Sequence, residues 1–192
     1  MEHFITVKME EIMSKLAPAL TRSDADPRPI VVMTCGIAGS GKSTLSKAIV
    51  LKYPSFERLS IDATLAAKRG LHSVDYPHDK YSEYQDEAEA SCTARLITIL
   101  SKGTKNAVLD RSFYAKEDRD QYKQLAQEMG GRCVLVYLRA DSKDILHKRI
   151  AQRRRDGIDA DSALDITEDT LQGYWNGFEA PAGEEEIVID VK

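Results

Sequence analysis

Ile30-Val31-Val32-Met33-Thr34-Cys35-Gly36-Ile37-Ala38-Gly39-Ser40-Gly41-Lys42-Ser43-Thr44 runs from a β-branched stretch, through a glycine-rich turn, into a helix-forming one. Pro29 to Cys35 reads as a short buried strand, and Lys42 to Leu51 as a helix. Between them, Gly36 to Ser43 fits the spacing G-x-x-x-x-G-K-[ST]. Its glycines can take backbone angles closed to residues with a β-carbon, so the loop turns its N–H groups inward as an anion nest. A helix starting near Lys42 adds about half a positive charge at the same place. Gly36, Ile37, Ala38, Gly39, Ser40, Gly41, Lys42, Ser43 and Thr44 are therefore candidates to hold the phosphates of ATP or a similar nucleoside triphosphate. Lys42 is expected to bridge the β- and γ-phosphates, and the Ser43 hydroxyl to ligate magnesium. A dinucleotide-binding loop is excluded because these residues do not satisfy G-x-G-x-x-G.

Outward from this loop, strand and helix signals alternate. Arg58–Ile61, Asn106–Leu109, Cys133–Leu138 and Glu186–Val191 read as further strands. Helices are expected over residues of about 82–101, Lys116–Met129, Ser142–Arg155 and Thr167–Phe178. Tyr84, Ala88, Cys92, Leu96 and Ile99 share one face of the long helix. Gly130-Gly131 stops the next one. Thr167 is placed to cap the last, with Thr170 where a capping box would carry Glu. Five strands alternating with helices predict an α/β parallel sheet covered on both faces, with ligands beyond the carboxyl ends of its strands.

Two carboxylates fall at such ends. Asp110 closes Ala107-Val108-Leu109 and would point at the phosphate loop if the two strands are neighbours, holding magnesium with Ser43. Asp62 follows Leu59-Ser60-Ile61, where it could take the proton of a substrate hydroxyl or cap a helix starting at Ala63. Lys148, Arg149, Arg153, Arg154 and Arg155 crowd one helix. Arg149 and Arg153 lie one turn apart, so both can face a site where phosphoryl transfer spreads negative charge. The acidic, aperiodic segment Asp156–Asp165 reads as a lid, spanning about residues 152–166 with the helix end, that excludes water.

Composition narrows the setting. The chain has 192 residues, enough for one domain with a small lid. Its net charge of −4 supplies no global field for nucleic acid. No run of about 18 apolar residues occurs, which excludes a membrane span. Residues 1–20 carry Ile5, Met9, Ile12, Met13 and Leu16 at helical spacing and form an amphipathic helix, not a signal peptide. Thr21–Pro29, polar with two prolines, is a linker to the core at 30–192. The cysteines Cys35, Cys92 and Cys133 are scattered and form no pair, which argues for a reducing cytoplasm and small core residues. The four histidines show no metal-ligand spacing.

Together the loop, Asp62, Asp110, the basic helix and Phe178-Glu179-Ala180-Pro181-Ala182-Gly183 resemble the P-loop kinases, and within them the small kinases grouped with zeta toxins, chloramphenicol phosphotransferase and the phage polynucleotide kinase domain. The resemblance covers residues 30–191. It implies a three-layer P-loop NTPase fold with strand order 2-3-1-4-5, a helical lid, and the Asp110 strand beside the P-loop strand. It implies that Lys42, Asp62 and Arg153 are catalytic, with Asp62 the base and Arg153 on the transferred phosphate. Arg149 would stack on adenine, and the loop at Pro181 would close over it. Small ATP-binding proteins with a similar lid and tail imply that the chain is complete. Polynucleotide kinases of this group carry Arg three residues after the base; here that position is Leu65, with Lys68 and Arg69 one turn on as substitutes. That departure, and the Tyr- and acid-rich stretch Leu71–Tyr84, favour an ATP- and Mg2+-dependent phosphotransferase acting on a small-molecule hydroxyl. A nucleotide or polynucleotide 5′-hydroxyl kinase and a nucleotide-binding regulatory ATPase are the alternatives.

Overall fold

The structure is a computed structural model that describes residues 2–192, with side chains from Lys8 onward, so the expected role of Ile5 lies outside the described residues. Its centre is a five-stranded, all-parallel sheet in the order β2-β3-β1-β4-β5, formed by β1 (Ile30–Cys35), β2 (Phe56–Ser60), β3 (Asn106–Asp110), β4 (Arg132–Ala140) and β5 (Ile187–Val191). β1 and β3 are buried along their whole length, which is why both read as unbroken apolar runs rather than alternating ones. They pair in register, Thr34 beside Asp110, so the end of β3 lies next to the phosphate loop.

Among the described residues seven α-helices surround the sheet: α1 (Glu2–Leu16), α2 (Lys42–Lys52), α3 (Ile61–Arg69), α4 (Tyr81–Lys102), α5 (Lys116–Glu128), α6 (Lys143–Asp156) and α7 (Glu168–Gly177). On one face, Met13, Leu16, Leu45 and Ile49 from α1 and α2 pack on Ile30, Val32, Val108 and Val136. On the other, Leu96, Ile99, Leu100 and Ala126 from α4 and α5 pack on Val31, Met33, Leu109 and Leu135. Successive strand residues thus feed opposite cores, as the two-residue period of a strand requires. Cys35 is buried, whereas Cys92 and Cys133 are only partly so, at the margin of the second core.

Several boundaries depart from the sequence reading. β2 starts two residues earlier, at Phe56, and ends at Ser60; Ile61 opens α3 instead of closing the strand. The cap of α3 is Ser60, whose Oγ accepts from the Ala63 N–H at 3.2 Å, and not Asp62. The residue whose backbone is still extended takes the capping role, and Asp62 already has helical position. Thr167 does cap α7, accepting from Thr170 N–H at 3.2 Å. The 21–29 segment is tied down: the Arg22 guanidinium donates to the Asn106 side chain and to the carbonyls of Gly103 and Lys105, at 2.6–2.7 Å.

Candidate active site

The loop after β1 is shaped by close packing. A β-carbon on Gly39, which has φ +82°, would lie 2.9 Å from the Leu146 carbonyl of α6. Gly41 starts α2 at φ +103°, a left-handed angle that costs other residues on the order of 1–2 kcal/mol. The opening Gly36 N–H donates to the Ser112 carbonyl at 3.0 Å, joining the loop to the chain just after β3. That chain is itself strained: buried Phe113 has φ +45°.

Residues of the loop, Ile37, Ala38, Gly39, Gly41, Lys42, Ser43 and Thr44, form one wall of a cavity of about 510 Å³ at the carboxyl end of the sheet. Asp62, Asp110 and Arg153 line the same cavity. Gly36 and Ser40 lie behind this wall, buried, and shape the loop without lining the space. Arg149 lies outside the lining and donates to the Lys192 carbonyl at 3.0 Å, while Pro181 is buried elsewhere. Lys68 donates to Ser91, and Arg69 pairs with Glu87 over the Tyr84 ring, so neither reaches the cavity; Leu65 is a core residue beside Tyr76 and Ala88.

The charges alternate. Lys42 donates to the Ile37 carbonyl at 3.1 Å, and its burial holds its pKa below the usual value against the pull of Asp110 and Asp62. The Asp62 carboxyl is pushed up to about 6, by desolvation first and then by Asp161 and Asp110, with Lys42 and Arg58 opposing. The Ser43 hydroxyl donates to Asp110 Oδ1 at 3.3 Å. Arg58 Nε donates to Asp110 Oδ2 at 2.7 Å, and its Nη2 lies 2.5 Å from Asp161 Oδ1.

These residues fit a magnesium–nucleotide. The Nε of Arg153 is buried without a hydrogen-bond partner, so an anion in the cavity that Arg153 lines would satisfy a group that otherwise carries a desolvation cost. Ser43 and Asp110 supply the hydroxyl and carboxylate that a hard cation takes alongside phosphate oxygens. Among the described residues no three His, Cys, Asp or Glu cluster to hold a metal by themselves, as a site completed by phosphates requires none.

Opposite the loop, Tyr81 and Gln85 of α4, Arg111, Ser112 and Tyr114 after β3, and Tyr174 of α7 complete the wall. Arg111 is paired with Glu89 at 2.6 Å and stacked near Phe113 and Tyr122. Ala160, Asp161, Leu164 and Ile166, from the segment between α6 and α7 expected as a lid, line one side. Neither Arg58 nor Asp161 is among the site residues expected from the sequence. Arg58 was legible in principle, because a strand alternation that puts Phe56 and Ser60 on a covered face puts Arg58 there too. Asp161 is one of several similar acids in an aperiodic stretch, with no local signal to single it out.

Known proteins place this architecture. No curated protein matches the chain. An inferred kinase from Chloroflexus aurantiacus J-10-fl superposes with TM-score 0.66 at 20% identity, covering 84% of this chain and 88% of its own. A sugar kinase from Janibacter sp. HTCC2649 gives TM-score 0.53 at 18% identity, covering 85% of each chain. A component of the Pnkp1/Rnl/Hen1 RNA repair complex gives 0.57 at 19%, over 79% of this chain and 47% of that longer one. Residues 31–181, from the second residue of β1 to the loop before β5, match the family model described as an AAA domain. With that match over most of its length, and with the strand order and P-loop kinase fold of these neighbours, the chain belongs to the AAA domain family of P-loop NTPase-like proteins.

Proposed function

We propose that the protein is a kinase that moves the γ-phosphoryl group of Mg-ATP to a hydroxyl of a small, uncharged acceptor. One observation carries this reading: the carboxylate of Asp62 shares a single cavity with Lys42, Ser43, Asp110 and Arg153. A nucleotide switch needs the phosphate loop, but not a base across the cavity from it.

In this reading the acceptor lies between Asp62 and the tyrosine-lined wall. Asp62 takes the hydroxyl proton as the acceptor oxygen bonds to the γ-phosphorus. The bond from that phosphorus to the bridging oxygen breaks, and its electron pair leaves with ADP. Lys42 and Arg153 stabilise charge on the γ-phosphoryl oxygens, and Arg153 Nε gains the partner it lacks. Magnesium, held by Ser43 and Asp110, would neutralise charge on the β- and γ-phosphates. The lid keeps water out, so the phosphoryl group goes to the acceptor.

The acceptor side favours an uncharged polyol. Tyr81, Gln85, Ser112, Tyr114 and Tyr174 offer hydroxyls and an amide, and Arg111 is already neutralised by Glu89. A phosphate-bearing acceptor would need a free cation on that wall; Lys68 and Arg69 face α4 instead. The three free thiols suit a reducing, cytoplasmic setting. The test is ADP release from Mg-ATP with a panel of sugars, polyols, aminocyclitols, nucleosides, nucleotides and oligonucleotides. Stimulation confined to uncharged hydroxyl compounds supports the assignment. Stimulation by nucleotides or oligonucleotides alone overturns the acceptor class, and tight ATP binding with none overturns the kinase.

A further inference from the structure

Arg58 is a charged residue on a strand face that otherwise feeds the core. On β2 it lies beside Val108, with Ser60 beside Asp110, and all four project toward α2. Its guanidinium is largely buried and serves two carboxylates from distant parts of the chain. Nε and Nη2 both contact Asp110 Oδ2, at 2.7 and 2.5 Å, and Nη2 also contacts Asp161 Oδ1 at 2.5 Å. Lys47, one turn along α2 from Ser43, takes the other oxygen of Asp161 at 2.6 Å.

Each contact has a consequence. With Oδ2 taken by Arg58, the free Oδ1 of Asp110 is the atom turned to Ser43. Asp161 is the acid that pins the lid across the cavity mouth. The other polar contacts of the segment, Arg154 with the Ser162 carbonyl and with Asp165, run back to α6, and Ser162 bonds within the lid to Asp159. A cation between two buried carboxylates also removes the repulsion that would drive the lid from the metal site.

We propose that Arg58 is a positioning residue that couples lid docking to the metal site, aiming Asp110 at Ser43 through one oxygen and holding the lid through Asp161. The proposal rests on the kinase reading only for its use of magnesium, and its test needs no acceptor. Hydrogen exchange of the lid amides at 157–166 is measured in nucleotide-free protein for the unmodified chain, Asp161→Asn, Arg58→Gln and Arg58→Lys. Magnesium is titrated into each with ATP, and nucleotide binding is followed by calorimetry. Asp161 is on a loop, so its variant folds even if Arg58→Gln is damaged. Lid exchange should quicken about tenfold in Asp161→Asn and Arg58→Gln with β1 and β3 unchanged, and return to within about threefold in Arg58→Lys. The half-saturating magnesium concentration should rise about threefold or more in Arg58→Gln and, because coupling is reciprocal, shift the same way by a smaller factor in Asp161→Asn. Unchanged lid exchange in Asp161→Asn overturns the latch, and unchanged magnesium dependence in folded Arg58→Gln overturns the coupling. Failure of the kinase reading would instead appear as absent acceptor turnover with both of these results intact.

Discussion

Asp62 stands second in α3, behind the Ser60 cap, with its carboxyl in the cavity and two further acids, Asp110 and Asp161, acting on it. Its charge state is therefore set by the fold. A base must be ionised, so transfer should fall as pH drops through about 6, where this carboxyl takes up its proton. Asp62→Asn should bind Mg-ATP normally, lose about 100-fold or more of transfer, and lose that pH limb. Stability should move the other way. A carboxyl whose pKa is raised in the folded state favours the protonated form, so the fold weakens as pH rises from the ordinary Asp value of 3.8 through about 6, and the full penalty stands above that. The variant should melt higher than the unmodified protein at pH 8, and the gap should close toward pH 4. Steady-state rates and melting curves across that range check both; full transfer activity in the variant would remove Asp62 from the mechanism.

Secondary-structure elements were legible in the sequence to the extent that their signals are local. All five strands were, because buried parallel strands are short apolar runs between turn residues. The edges of β2 were not: Ile61 is apolar and β-branched, yet the Ser60 hydroxyl satisfies a helix N–H and draws Ile61 into α3. Asp110 could be found because it ends a strand. The Arg58–Asp161 contact could not, since about a hundred residues separate its partners and only the tertiary path of the lid joins them. Arg119 is a similar case. It lies in α5 at 1% exposure, donating to Glu184 before β5 and to the Phe113 carbonyl at 2.9 Å, and no pattern in α5 marks it as buried. Its guanidinium holds the Glu184 carboxyl down to about 2. The stability from this pair is present above the ordinary Glu range near pH 4.5 and lost as pH falls toward 2. Arg119→Ala leaves the buried Glu184 carboxylate with Lys123, at 3.0 Å, as its one remaining cation partner among the described residues and should cost about 3 kcal/mol in denaturant unfolding at neutral pH, with Arg119→Ala/Glu184→Gln costing less than the single change. A double-variant cost equal to the sum of the two single changes would show that the pair is not coupled.

Across the whole molecule, stability and chemistry sit at different ends. α1 covers the sheet face near α2, with Leu16 fully buried and Lys15 donating to the Val188 carbonyl at 2.7 Å. The linker behind it is held by Arg22 on Asn106, whose side chain also accepts the Ile30 N–H at 3.0 Å. Leu16→Ala should lower unfolding free energy by about 2–5 kcal/mol while leaving the ATP affinity of the folded protein within about twofold. Loss of nucleotide affinity in well-folded variant would instead show that α1 acts on the site. Among the described residues no helix is long and apolar enough to cross a membrane. The active cavity, by contrast, is built in two unlike halves. The phosphate side is largely backbone, fixed by Gly39 pressed against α6 and Gly36 against β4; the opposite side is largely side chains, presented by α4, α7 and the turn after β3. Backbone geometry changes only when a fold changes, but Tyr81, Gln85, Tyr114 and Tyr174 can each be exchanged singly. If the proposed transfer holds, a lineage built on this plan can keep one phosphate donor and change its acceptor by point mutation, and a directed search for new acceptors should begin at those four positions.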